Sequence, residues 1–257
     1  MKRQIKIWAM VLCLLTIGAG SSIAGDLTMD FNVDGQLPNA ENTNLSRVTN
    51  SKGMSDAVAG GLWKSVDTDP GEDGGYLYYA GDNPSIATSD VNAPMSINTR
   101  IRLLADQGAN SNLLLNFRSA AGFLWMYFEY DANTGASKIG GRHRNGSIFL
   151  RDFPVGKTLG DFHDLAVTWD PTSGDSQPAE LWVDGVNIGS TYAGIDPGWS
   201  NLNGNVEFGD ETTASPEPAW EMDSLRFGND QFVVPEPASM LLLLGGASLF
   251  KLRRCRN

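Results

Sequence analysis

The stretch from Phe162 to Ser190 constrains the chain most: FHDLAVTWD, a polar break, then ELWVDGVNIGS. Leu165, Val167 and Trp169 alternate with Asp164, Ala166 and Thr168, the period of a strand with one buried face. Leu181 and Val183 alternate in the same way with Glu180, Trp182 and Asp184. Asp184-Gly185 lies between two valines and predicts a two-residue turn, because that turn needs positive φ at both centres. The break at 170–179 is made of turn formers and reads as a longer hairpin loop. Two hairpins in succession commit the region to antiparallel sheet.

The rest of the chain between its ends has the same grain. Leu27 to Phe31 is a first strand, and the Asn-, Gly- and Ser-rich run that follows, 32–59, reads as a long loop over the sheet edge. Further strands are expected at Leu62 to Val66, Tyr76 to Ala80, Met95 to Leu104, Asn112 to Arg118, Phe123 to Tyr130, Ala136 to Arg142 and Ser147 to Asp152. After the organising hairpins come Asn205 to Phe208 and Trp220 to Phe227. FLWMYFEY at 123–130 is apolar on both faces, as in a central strand covered on both sides. About a dozen short strands and no clear helix predict an all-β, antiparallel two-sheet sandwich or barrel.

The pattern His163-x-Leu-Ala-Val-Thr-Trp-Asp … Leu181-Trp-Val-Asp-Gly resembles the central hairpin of concanavalin A-like and laminin-G-like jelly rolls. EMDSLRFGN at 221–229 is similar to the last strand of laminin-G-like domains, which pairs beside the first; here the first would be LTMDF.

Both ends look like sorting signals. Lys2, Arg3 and Lys6 precede an apolar run from Ile7 to Ala19, and Ser22-Ile23-Ala24 offers the small residues that a signal peptidase reads. At the other end Pro235-Glu236-Pro237 leads into the apolar run Met240 to Phe250, then Lys251, Arg253, Arg254 and Arg256. Eleven helical residues rise about 16 Å, well short of a hydrocarbon core of about 30 Å. This order of parts resembles the PEP-CTERM sorting tail of Gram-negative-type bacteria, which implies processing by an exosortase and release to the cell surface or extracellular matrix. The expected layout is 1–24 signal peptide, 25–228 sandwich, 229–239 linker and 240–257 short membrane segment with a basic tail.

Neither cysteine falls in the domain, since Cys13 and Cys255 lie in the two ends, so no disulfide or thiolate metal site is available there. Without its ends the chain keeps twelve Lys and Arg against 29 Asp and Glu, a net charge near −17. Such a surface does not seek nucleic acid or an anionic membrane.

Catalytic constellations are sparse. Family-16-type glycanases, on a related fold, carry Glu-x-Asp-x-(x)-Glu on one strand; Glu221-x-Asp223 supplies two acids and Arg226 stands where the third would fall. Edge-strand acids facing water are the simpler reading. The two histidines, His143 and His163, fit neither a catalytic triad nor a transition-metal site, and His163 reads as packing at a strand start. Calcium suits the acidic clusters better: Asp67, Asp69 and Asp73 in one Gly-rich loop, and Asp210 in another. For glycan contact the candidates are Trp199 beside Asn201 and Asn203, Trp220, and Trp182, which points away from Leu181 and Val183; Trp125 and Trp169 sit at packing positions. These readings predict an exported, non-catalytic envelope or matrix protein associated with extracellular polysaccharide or envelope proteins. A lectin-like, calcium-dependent module and a divergent glycanase or lyase are the alternatives.

Overall fold

The structure, a computed structural model, describes residues 26–49, 54–67, 75–104, 111–142, 148–173, 179–193, 204–210 and 219–229. Its strands are β1 Leu27–Asp30, β2 Ser46–Thr49, β3 Met54–Ala59, β4 Leu62–Asp67, β5 Leu77–Asp82, β6 Met95–Leu104, β7 Ser111–Ser119 and β8 Gly122–Asp131. They continue with β9 Ala136–Arg142, β10 Ile148–Asp152, β11 His163–Trp169, β12 Ala179–Val183, β13 Val186–Thr191, β14 Asn205–Asp210 and β15 Ala219–Gly228. An eight-stranded sheet runs β13-β12-β11-β6-β15-β4-β3, with β1 also on β15; a seven-stranded sheet runs β10-β9-β8-β7-β14-β5-β2. The fold is the expected all-β sandwich of two antiparallel sheets, a jelly roll.

Alternation places the core between the sheets. Met95, Ile97, Ile101 and Leu103 of β6 are buried on the inner face, opposite Leu113, Leu115 and Phe117 of β7 and Leu124, Met126 and Phe128 of β8. Trp63 of β4 anchors one end, edge-to-face against Trp220 at 5.2 Å, Tyr79 at 5.5 Å and Phe208 at 5.8 Å. Beside it the carboxylate of Asp56 accepts from Arg47 at 2.8 Å, Trp63 at 2.9 Å and Tyr79 at 2.7 Å. Those donors come from both sheets, so one buried charge ties their edges together, satisfied as a buried charge must be.

The Asp184-Gly185 turn forms as expected, with φ of 52° and 79°, joining β12 to β13. The first strand pairs with the last, Leu27 opposite Phe227. Two expectations are corrected. Residues 32–59 are not one loop: they hold helical turns α1, Phe31–Asp34, and α2, Pro38–Glu41, and the edge strands β2 and β3. Asp30 caps α1 by accepting from the backbone N–H groups of Asn32 and Val33, which the polar composition concealed. Nor is the strand of Glu221 an edge, because β15 lies between β6 and β4.

Candidate functional site

The outer face of the seven-stranded sheet carries rows of side chains set by strand register. One row reads Tyr127, Leu114, Gly209, Tyr78 and Val48 across β8, β7, β14, β5 and β2. Its two tyrosines, both half-buried, stand three strand spacings apart, about 14 Å at 4.7–4.9 Å per strand. Between them stand the half-buried Leu114 and Gly209, whose φ of +124° and close approach to the Leu77 carbonyl admit no side chain and leave bare backbone beside Tyr78. On the far side Tyr127 is followed by Gly140 of β9.

The next row reads Trp125, Asn116, Glu207 and Ala80. Glu207 accepts from the Arg118 guanidinium at 3.2 Å and from the Asn116 amide at 3.3 Å. Asn116 is fully buried, and its side-chain carbonyl has no hydrogen-bond partner. A buried acceptor without a donor is costly. Trp125 is buried as expected, but on this outer face, 6.2 Å from Phe123, rather than between the sheets. Tyr76 lies 5.9 Å from Tyr78. Tyrosine rings, an amide, a carboxylate and a guanidinium on one sheet face form a surface suited to sugar rings and hydroxyls.

Sequence reasoning passed over these residues because 123–130 is apolar or aromatic at every position but Glu129. The usable signal was the outward half of the alternation: Trp125 and Phe123 opposite Asn116 and Arg118 of the strand before, with Tyr127 next in line.

The acid pair falls on the other sheet. Glu221 accepts from Lys64 at 2.7 Å and from Arg102 at 2.6 Å. Burial pushes its carboxyl up, but those two cations outweigh burial and hold it below the usual range. Asp223, two residues on and next to a bulge between Met222 and Ser224, shares that face, and Arg100 lies 3.6 Å from it. Burial and the nearby Asp30 and Asp164 raise the Asp223 carboxyl against the pull of Arg100. Arg100 also bonds Asp164 at 3.2 Å, and the Arg102 guanidinium lies 4.9 Å from the Phe162 ring centre. Arg226, in place of a third acid, donates to Asp26 at 2.9 Å. These acids belong to an ion-pair lattice on an interior strand.

The remaining expected residues divide. Trp220 is fully buried against Trp63, not an exposed contact, because its position on β15 faces the core. Trp182 does face outward, half-buried, with its indole N–H on the Thr168 hydroxyl at 3.3 Å. Trp169 packs in the core. His163 is structural: its Nδ1 meets Asp184 at 2.8 Å, its Nε2 meets the Thr158 carbonyl at 3.1 Å, and its ring packs on Phe153. Asp210 is buried at the end of β14, and Asp67 ends β4. Trp199, Asn201, Asn203, Asp69, Asp73, His143, Pro235, Glu236, Pro237, Arg253 and Arg254 lie outside the described residues, as do both sorting segments. Among the described residues no group of three or more His, Cys, Asp or Glu could hold a metal ion.

No family model matches the sequence, and no curated protein does. Solved structures match the fold. The alginate lyase Aly36B superposes with a TM-score of 0.52 at 12% identity, over 83% of this chain and 100% of the lyase. A carbohydrate esterase from the Shiga toxin-encoding bacteriophage phi24B superposes with a TM-score of 0.50 at 13% identity, over 79% of this chain and 98% of the esterase. At such identities the likeness is one of fold.

Proposed function

We propose that this chain is an exported, non-catalytic envelope or matrix protein whose sandwich holds polysaccharide on the outer face of the seven-stranded sheet. The observation that carries the reading is the row of Tyr127 and Tyr78 flanking Leu114 and the bare backbone of Gly209, with the half-buried Glu207 carboxylate in the adjacent row. Sugar C–H faces stack on tyrosine rings, and hydroxyls reach the half-buried Glu207 carboxylate and the Arg118 guanidinium beside it. The two solved structures of this fold cited above are described as acting on carbohydrate, which is consistent with such a ligand class. With a domain charge near −17, neutral polysaccharide is favoured over acidic chains, which the surface repels. The signal-like N-terminus and the Pro235-Glu236-Pro237 tail support export, membrane retention and release, with signal peptidase and an exosortase as processing partners.

Retention of the full chain, held in mild detergent, on columns of a neutral β-glucan and of alginate tests the reading, with calcium and with chelator. The expected result is saturable retention on the neutral polymer, weakened at least tenfold when Tyr78 and Tyr127 are both changed to Ala. Calcium-dependent retention would bring the acidic loops into the site. Shortened polymer after long incubation would replace binding with catalysis, and no retention on either column would remove the glycan reading.

A further inference from the structure

The outer face of the eight-stranded sheet carries a second set of rows with the same ingredients. One row reads Thr28, Arg226, Asn98, Ala166, Trp182 and Asn187 across β1, β15, β6, β11, β12 and β13. The next contains Gly228, Ser96, Thr168 and Glu180. Small side chains therefore form a floor between two large ones, Trp182 and Arg226. Trp182 is fixed over one side of that floor by its bond to Thr168, and Arg226 is fixed on the other by Asp26. Asn98 stands between them, 6% exposed, its amide nitrogen 3.4 Å from the Ser96 hydroxyl and its carbonyl oxygen without any partner.

A fold selects against a buried, unpaired amide oxygen unless something supplies the missing donor. Here the orphan lies two strand spacings, about 9.5 Å, across Ala166 from an anchored, half-buried indole, which offers the flat apolar face that a sugar ring stacks against. Exposed Asn187 and Glu180 flank that indole with further polar groups. The charged lattice of Glu221, Arg102 and Arg100 adjoins this floor but is internally paired.

We infer that the Trp182–Asn98 floor is a second glycan site, on the face opposite the first, so that one sandwich bridges two polysaccharide chains. The bridging rests on the glycan reading of the seven-stranded face; the Trp182 site itself does not. A domain with a site on each outer face acts as a cross-link without needing to dimerise, because the two sites face away from each other and cannot both engage one short stretch of polymer.

The experiment is a sandwich capture. The full chain, in detergent at less than one chain per micelle, is bound to immobilised neutral β-glucan, washed, and offered the same glucan in soluble, fluorescently labelled form. The expected result is capture of label by the unchanged chain and its loss, at least tenfold, in Trp182→Ala and in Asn98→Leu, with retention on the column kept. Trp182→Phe restores capture. Asn98→Leu removes the orphan carbonyl, so it folds as well as the parent and separates ligand contact from stability. Capture unaffected by either change overturns the second site and leaves the first standing. Retention that is already lost in Trp182→Ala, with Tyr78 and Tyr127 intact, supports the Trp182 site and removes the tyrosine row. No retention of the unchanged chain overturns both.

Discussion

Glu41 shows how a single carboxyl can set the pH response of a region. It lies in α2, partly buried, and burial first, then a hydrogen bond with Asp34 and repulsion from Asp34 and Asp30, push its pKa up from 4.5 to about 7. The folded form therefore keeps a proton that the unfolded chain releases near 4.5. Its contribution to stability is fully present below that value and is lost as pH rises through about 7. Thermal unfolding measured from pH 4.5 to 8 should show the melting temperature of the parent falling across this window relative to Glu41→Gln, which keeps the donor without the charge. Parallel curves for the two proteins would mean that Glu41 is ionised and solvated throughout. Nothing in the sequence announced this residue, because the proximity of Asp30, Asp34 and Glu41 depends on two helical turns that a polar, loop-like composition hides.

At the level of elements, legibility followed how strictly one face is buried. β6 and β9 have the expected bounds, Met95–Leu104 and Ala136–Arg142, because a slip of one residue would turn the buried face to water. The β12–β13 hairpin was readable from Asp184-Gly185 alone. β2 and β3 were missed because these edge strands are short and Met54 is their one buried residue, so no buried-face alternation marks them. For the candidate site the limit was different: the sequence gives each strand's outward residues but not which strands adjoin. β14, distant in sequence from β5 and β7, inserts between them and brings Glu207 to Asn116 and Gly209 to Tyr78. Gly209 is the most demanding position in that strand. A Cβ there would meet the Leu77 carbonyl oxygen at 2.5 Å, and its φ of +124° is one that side chains avoid. Gly209→Ala should cost about 1–3 kcal/mol from the backbone alone, with the clash in addition. Gly135→Ala, with a φ of +73° and open space around it, should cost only about 1–2 kcal/mol. Urea unfolding of the two variants checks the order; equal midpoints would show that β14 can shift away from β5 without penalty.

For the whole molecule the decisive arrangement is that its ends leave together. Leu27 pairs with Phe227, and Asp26 is tied to Arg226, so the described domain begins and ends at one place on the eight-stranded sheet. A signal cut before Gly25 and a tail following Asn229 would then act on adjacent points, and a tethered sandwich would be held at one end of that sheet. The tail makes this testable. Pro235-Glu236-Pro237 is dispensable for a simple anchor, since the apolar run and the cations Arg253 and Arg254 would suffice for that. If the tripeptide is a processing signal, the parent chain expressed in a bacterium with an exosortase should be recovered shortened, outside the membrane fraction. Changing all three residues to Ala should leave it full-length and membrane-bound, and intact-mass measurement on the two fractions distinguishes the forms. Equal shortening of both would detach release from the tripeptide. A parent chain that stays full-length would make the tail a permanent anchor, and any cross-linking of polysaccharide by the two faces would then fasten the polymer to the cell rather than build a matrix beyond it.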